Sequence, residues 1–129
     1  MFDMPDNLPS PPLSSNAETV LSKRYYRKGP DGKPLEDARA LFWRVSSAIA
    51  QEEAKYEATT WKEEALARAH NDLLSQGVFL PKSATLMHAG CELGQLSACF
   101  VLPVGDSTEE IFDAVKYAAM IHKSGGGTG

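Results

Sequence analysis

Cys99 is the side chain in this sequence best suited to redox chemistry. It lies inside the apolar run Ser97-Ala98-Cys99-Phe100-Val101-Leu102-Pro103-Val104. A thiol in that setting has two readings: a small buried hydrophobe, or a redox thiol on a rigid element. Cys91 precedes it in a C-x7-C spacing that is not a metal-ligand spacing, and His88 does not complete a zinc set. Asp106-Ser107-Thr108 forms a second constellation. Ser107 and Glu110 fit a capping box, which closes a helix start. The same helix start can also offer amides to a phosphate, with Asp106 accepting from a sugar hydroxyl. The ending Ser124-Gly125-Gly126-Gly127-Thr128-Gly129 has the composition of a loop whose amides approach an anion. It lacks the Lys-Ser/Thr ending of a P-loop, and a linker has the same composition. Lys23, Arg24, Arg27, Lys28 and Lys33 read as a solvated basic face. His70 and His122 lie in helical patterns without an evident partner.

Chemistry of either kind needs elements to hold it. Residues 1–16 carry Pro5, Pro9, Pro11 and Pro12 among serines and asparagines, and are expected to form a disordered arm. Ala17 to Tyr26 reads as a short helix. Lys28 to Pro34 reads as a turn from its glycine and proline content. Ala38, Leu41, Phe42, Val45, Ala48 and Ile49 predict a helix from about Asp37 to Tyr56 with one buried face. Thr60 and Glu63 predict a capped third helix, with Leu66, Ala69, Leu73 and Leu74 inward, Trp61 as a packing anchor and Gly77 as the stop. A loop is expected from Val78 to Gln95, a buried strand over Ser97–Val104, and a fourth helix from Ser107 to Lys123.

Composition sets the outer limits. The chain has 129 residues, 43% of them hydrophobic and 23% charged, with a formal net charge of -4. Those proportions suit a soluble globular protein. The charge gives no bulk attraction for nucleic acid or anionic lipid, and no apolar run approaches a membrane span. The first residues lack the basic and apolar regions of a secretory signal, and two cysteines make no disulfide framework. A cytoplasmic location is expected. One buried strand without a partner would leave its amides and carbonyls unpaired, so the last third of the chain calls for a sheet supplied from elsewhere. The sequence reads as the front of something larger, mainly α.

Several segments, taken in order, resemble the catalytic subunit of ribonucleotide reductase. They are Phe79-Leu80-Pro81-Lys82-Ser83-Ala84-Thr85-Leu86-Met87-His88-Ala89-Gly90, then Gly94-Gln95-Leu96-Ser97-Ala98-Cys99-Phe100-Val101-Leu102-Pro103-Val104, Asp106-Ser107, and Ile121 to Gly129. Leu21-Ser22-Lys23-Arg24-Tyr25-Tyr26 through Phe42-Trp43-Arg44-Val45 is similar to the helical N-terminal domain of that family. The wording is nearest the adenosylcobalamin-dependent class.

The resemblance implies an N-terminal arm, a helical domain over 17–77, and over 78–129 the first strand and helix of a ten-stranded α/β barrel. It implies radical reduction of the ribonucleotide 2′-hydroxyl. Cys99 would be one of two thiols that deliver electrons. Ser83, Ala98, Cys99 and Gly127 would hold the substrate nucleotide. Asp106, Ser107, Thr108 and Lys123 would hold a deoxynucleotide or ATP effector, on a helix at the interface of a homodimer. The thiyl cysteine, the second reductant thiol and the adenosylcobalamin site would lie beyond Gly129, so this stretch alone is expected to be inactive. His88, Cys91 and Ala84 stand where asparagine, threonine and proline are common in the family. The contrasting reading is a small non-enzymatic helical binding module in which Cys99 is core and Asp106 part of a cap.

Overall fold

The computed structural model describes residues 2–56 and 62–129. It divides into two compact units, 1–94 and 95–129. In the first unit, helix α1 spans Ser15–Arg24 and α2 spans Ala38–Ala50, continued by a 3-10 turn over Gln51–Lys55. Helix α3 spans Glu63–Ser75 and α4 spans Ser83–His88. The second unit holds strand β1 (Cys99–Phe100), helix α5 (Thr108–Lys123) and strand β2 (Gly127–Thr128). The chain is mainly helical, as its periodicity predicts.

Helix α2 is the centre of the first unit. Asp37 caps it, its carboxylate accepting from the Ala40 amide at 2.9 Å. The sequence predicts one buried face, but Leu41 through Ser47 are buried without a break. The reason is that α2 has neighbours on several sides. Helix α3 packs along it, and α4 touches it. The segment expected to be a disordered arm also lies against it. Leu8 is buried in a cluster with Trp43, Ala50 and Ala67, and Phe2 packs on that cluster. The Trp43 indole N–H donates to the Phe2 carbonyl at 3.2 Å, and Arg39 donates to the Asp6 carbonyl at 3.0 Å. Two apolar side chains and two backbone anchors thus hold a proline-rich segment that composition alone reads as unstructured.

Helix α3 presents Ala67, Asn71, Leu74 and Ser75 inward, while Leu73 is 42% exposed. The expected inner face of Leu66, Ala69, Leu73 and Leu74 is therefore rotated. Within this buried face the Asn71 amide donates to the Ser75 hydroxyl at 3.3 Å. The expected cap Thr60 and the expected packing anchor Trp61 lie outside the described residues, and the described helix begins after Lys62. Gly77 has φ 69°, the left-handed conformation its position as a helix stop requires. The expected loop after it contains α4, a helix too short to show a periodic pattern.

The second unit corrects the expectation of a lone strand. Strand β1 pairs in parallel with β2, Cys99 opposite Gly127 and Phe100 opposite Thr128. The strand partner is the glycine-rich ending itself, with α5 as the crossover. The paired stretch is two residues rather than the eight of Ser97–Val104. It is not buried either: Cys99 is exposed and Val101 is 87% exposed. A pair of strands with one helix does not cover both sheet faces.

Candidate functional site

Cys99 and Gly127 are brought together by this pairing. The Gly127 amide donates to the Ala98 carbonyl at 2.7 Å, and the Gly129 amide donates to the Phe100 carbonyl at 3.0 Å. The Leu102 amide closes the ladder on the Gly129 carbonyl at 3.2 Å. Three of the four expected substrate residues, Ala98, Cys99 and Gly127, therefore share one short ladder. Cys99 is a free thiol. Within this unit the thiol is exposed.

The glycine-rich ending does not form an open phosphate cradle. The amides of Gly125 and Gly126 donate to the His122 and Ile121 carbonyls, both at 3.0 Å. With Gly127 and Gly129 bonded to β1, these four amides are engaged in holding the turn and the ladder. Glycine is needed here for space. A Cβ on Gly126 would come within 2.6 Å of the Ile121 side chain and 2.9 Å of the Phe100 ring. Gly125 has φ 87°, which lets the chain leave α5 and enter β2. The Thr128 hydroxyl and the His122 imidazole share a hydrogen bond of 3.0 Å that ties β2 back to the helix.

Asp106, Ser107 and Thr108 stand at the start of α5. The capping box is formed: the Ser107 hydroxyl accepts from the Glu110 amide, and the Glu110 carboxylate accepts from the Ser107 amide, each at 3.2 Å. The Ser107 hydroxyl also donates to that carboxylate at 2.6 Å. The Ser107 hydroxyl, then the Ser107 amide, hold the Glu110 carboxyl below its usual range. Lys123 is at the other end of this 16-residue helix, about 24 Å away at 1.5 Å per residue. Within one chain it does not join the other three effector residues.

Ser83 belongs to the first unit, as the first residue of α4. It is exposed, and its hydroxyl shares a hydrogen bond of 3.1 Å with the Tyr25 hydroxyl. The far end of α4 is held by Arg44. This buried guanidinium donates to the Ala89 carbonyl at 2.5 Å and the Leu86 carbonyl at 3.2 Å. It also donates twice to Glu36, at 2.8 and 3.0 Å. Burial pushes the Glu36 carboxyl up, but the hydrogen bonds from Arg44 and the Arg27 amide, with both guanidinium charges, outweigh it and hold the carboxyl low. Next to Tyr25, the buried Tyr26 donates to Glu18 at 2.7 Å. Burial first, then that carboxylate, push the Tyr26 phenol well above its usual range.

Sequence reasoning did not single out Tyr25, Glu36 or Arg44. Arg44 had one signal: a charge between Phe42 and Val45, inside an apolar stripe, demands a buried partner. Among the described residues no three His, Cys, Asp or Glu side chains group as a metal site. No described helix is long and apolar enough to cross a membrane.

Among its described residues the first unit is built of helices alone, with α2 at its centre and α4 held against it by Arg44. Residues 12–94 match the family described as ribonucleotide reductase, all-alpha domain. The chain belongs to the ribonucleotide reductase family. It is 38% identical to the vitamin B12-dependent ribonucleoside-diphosphate reductase of Thermoplasma acidophilum, over 91% of this chain and 22% of that protein. It is 40% identical to the protein of the same name from Mycobacterium tuberculosis, over 91% of this chain and 17% of that one. It is 36% identical to the ribonucleoside-diphosphate reductase large subunit of Danio rerio, over 83% of this chain and 12% of that one. The chain thus spans about a fifth or less of the length of these relatives.

Proposed function

We propose that this chain is the front of a ribonucleotide reductase catalytic subunit that reduces ribonucleoside diphosphates to 2′-deoxyribonucleotides. The observation that carries the reading is the Cys99–Gly127 register. It sets the thiol beside a residue with no side chain, so β2 places no side chain between the sulfur and an approaching substrate. In the overall step the 2′-carbon–oxygen bond breaks and the oxygen leaves as water. Two thiols supply two electrons and two protons and become a disulfide. Cys99 is one of these thiols; the other, with the thiyl cysteine and the rest of the barrel, belongs to sequence outside this chain. A thiol fixed on a hydrogen-bonded strand is held at a constant distance from the reacting carbon, which lowers the entropic part of the barrier. Ser83 in the first unit is read as a substrate-binding residue, and in the second unit the Ala98–Cys99 backbone is read as another.

The names of the two B12-dependent relatives support adenosylcobalamin as the radical source. When bound it supplies the initiating radical. His70, His88 and His122 stand in no metal-ligating group among the described residues, so no residue of this chain is assigned to it.

Asp106, Ser107 and Thr108 bind the effector nucleotide. The length of α5 separates them from Lys123, and a homodimer removes the separation. Two α5 helices packed antiparallel set Lys123 of the partner subunit beside Asp106.

The test uses the full-length reductase subunit with Cys99→Ser. Its first turnover requires a reductant thiol pair, so deoxynucleotide formation is expected to fall by at least a hundredfold. Substrate binding, read by equilibrium dialysis, is expected to persist. Undiminished multiple-turnover reduction would remove Cys99 from the reductant pair.

A further inference from the structure

We propose that Tyr25 is the positioning residue of Ser83: its phenol fixes the serine hydroxyl so that the seryl proton points at an anionic oxygen of the nucleotide substrate. This rests on the reading of Ser83 as a substrate-binding residue and adds the group that orients it. The two hydroxyls share a hydrogen bond of 3.1 Å across 58 positions of sequence. A phosphate oxygen is an acceptor, so a serine that binds it must donate its single proton. Its oxygen lone pairs are then left for a second donor. Tyr25 is placed to be that donor, so that once the serine donates to phosphate the pair runs phenol to serine, serine to phosphate. Two such bonds in series polarise one another.

Both partners are held. Tyr25 caps the C-terminal end of α1, its amide donating to the Leu21 carbonyl at 2.8 Å. Tyr26 is buried and anchors the same turn through Glu18. Arg44 holds the Leu86 and Ala89 carbonyls at the other end of the segment that begins with Ser83. Ser83 itself remains exposed, so a ligand can reach it. The two hydroxyls are thus already paired before substrate arrives, and part of the ordering cost is met in folding rather than in binding.

The experiment is a double-mutant cycle in the full-length reductase subunit, with Tyr25→Phe, Ser83→Ala and both together, reading KM and kcat separately. Tyr25→Phe is expected to raise KM roughly three- to tenfold, the range of one hydrogen bond, with kcat little changed. The double variant is expected to match Ser83→Ala alone, because Tyr25 acts through Ser83. Tyr56→Phe, which removes an exposed hydroxyl elsewhere in the same unit, is expected to leave KM unchanged. A normal KM for Tyr25→Phe beside a raised KM for Ser83→Ala would overturn the inference and leave the substrate role of Ser83 standing. Independent effects that multiply in the double variant would overturn it too, as would an equal KM rise in Tyr56→Phe. A normal KM for Ser83→Ala would instead remove the substrate role on which the inference rests.

Discussion

Arg44 Nη2 lies 2.8 Å from Glu36 Oε1, and neither side chain is more than 2% exposed. The pair links the segment before α2 to α2 itself, and the same guanidinium reaches on to α4. Removing one member of a buried pair leaves a charge without its partner. Arg44→Met is therefore expected to destabilise the chain by about 3 kcal/mol, the lower end for a buried pair because Arg27 still contacts Glu36 at 3.2 Å. Adding Glu36→Leu should recover part of the loss. It should not recover all, because the Leu86 and Ala89 carbonyls lose their donor. Urea denaturation followed by circular dichroism reads both effects.

The same carboxylate gives stability an acid limb. Its folded pKa lies below the ordinary value of 4.5. The group therefore contributes fully above that value, and its contribution is lost as pH falls through the lower folded value. The melting temperature should drop on acidification below about pH 4.5, and the drop should be shallower in Glu36→Gln. Parallel slopes for the two proteins in thermal scans across that range would count against the linkage.

Gly126 and Gly127 should respond differently to alanine. A Cβ on Gly126 meets Ile121 and Phe100 inside contact distance, whereas one on Gly127 has its nearest neighbour, the Ala98 carbonyl, at 3.6 Å. Gly126→Ala is expected to disturb the β1–β2 pairing. Gly127→Ala is expected to keep it, yet raise substrate KM in the full-length subunit by placing a methyl beside Cys99. Amide hydrogen exchange at Gly127 reports the pairing, and steady-state kinetics report the binding.

Capping and effector binding at α5 can be separated. Ser107→Ala removes the cap and should cost about 1 kcal/mol of stability. Asp106 takes no part in the capping bonds. Asp106→Asn should leave helicity intact and weaken the change in substrate preference caused by a deoxynucleotide. Effector titration of the full-length subunit, beside a thermal melt, tells the two variants apart.

What the sequence made legible is what neighbours in sequence decide. The Ser107–Glu110 box, the Asp37 start of α2 and the Gly77 stop are each contained within a few residues. The β1–β2 pair joins residues on either side of a whole helix, and a glycine run carries no strand propensity. The Tyr25–Ser83 and Arg44–Ala89 contacts span more of the sequence still, 58 and 45 positions, and nothing local announces them. Leu8 is one apolar residue in a proline-rich stretch, so composition outweighed it. Cys99 was legible as a candidate thiol, but its exposure depends on how little of the sheet surrounds it.

The crossover through α5 also makes length matter more than identity in this part of the chain. Each helical residue turns the path by about 100° and advances it by about 1.5 Å. Deleting one residue between Ser107 and Lys123 would swing the glycine-rich ending to another side of the helix axis. A one-residue slip in β2 would also reverse which way its side chains face. A substitution in α5 keeps that count, while a single insertion or deletion there would part Cys99 from Gly127. The helix serves as a spacer of fixed count, and the thiol's surroundings depend on that count.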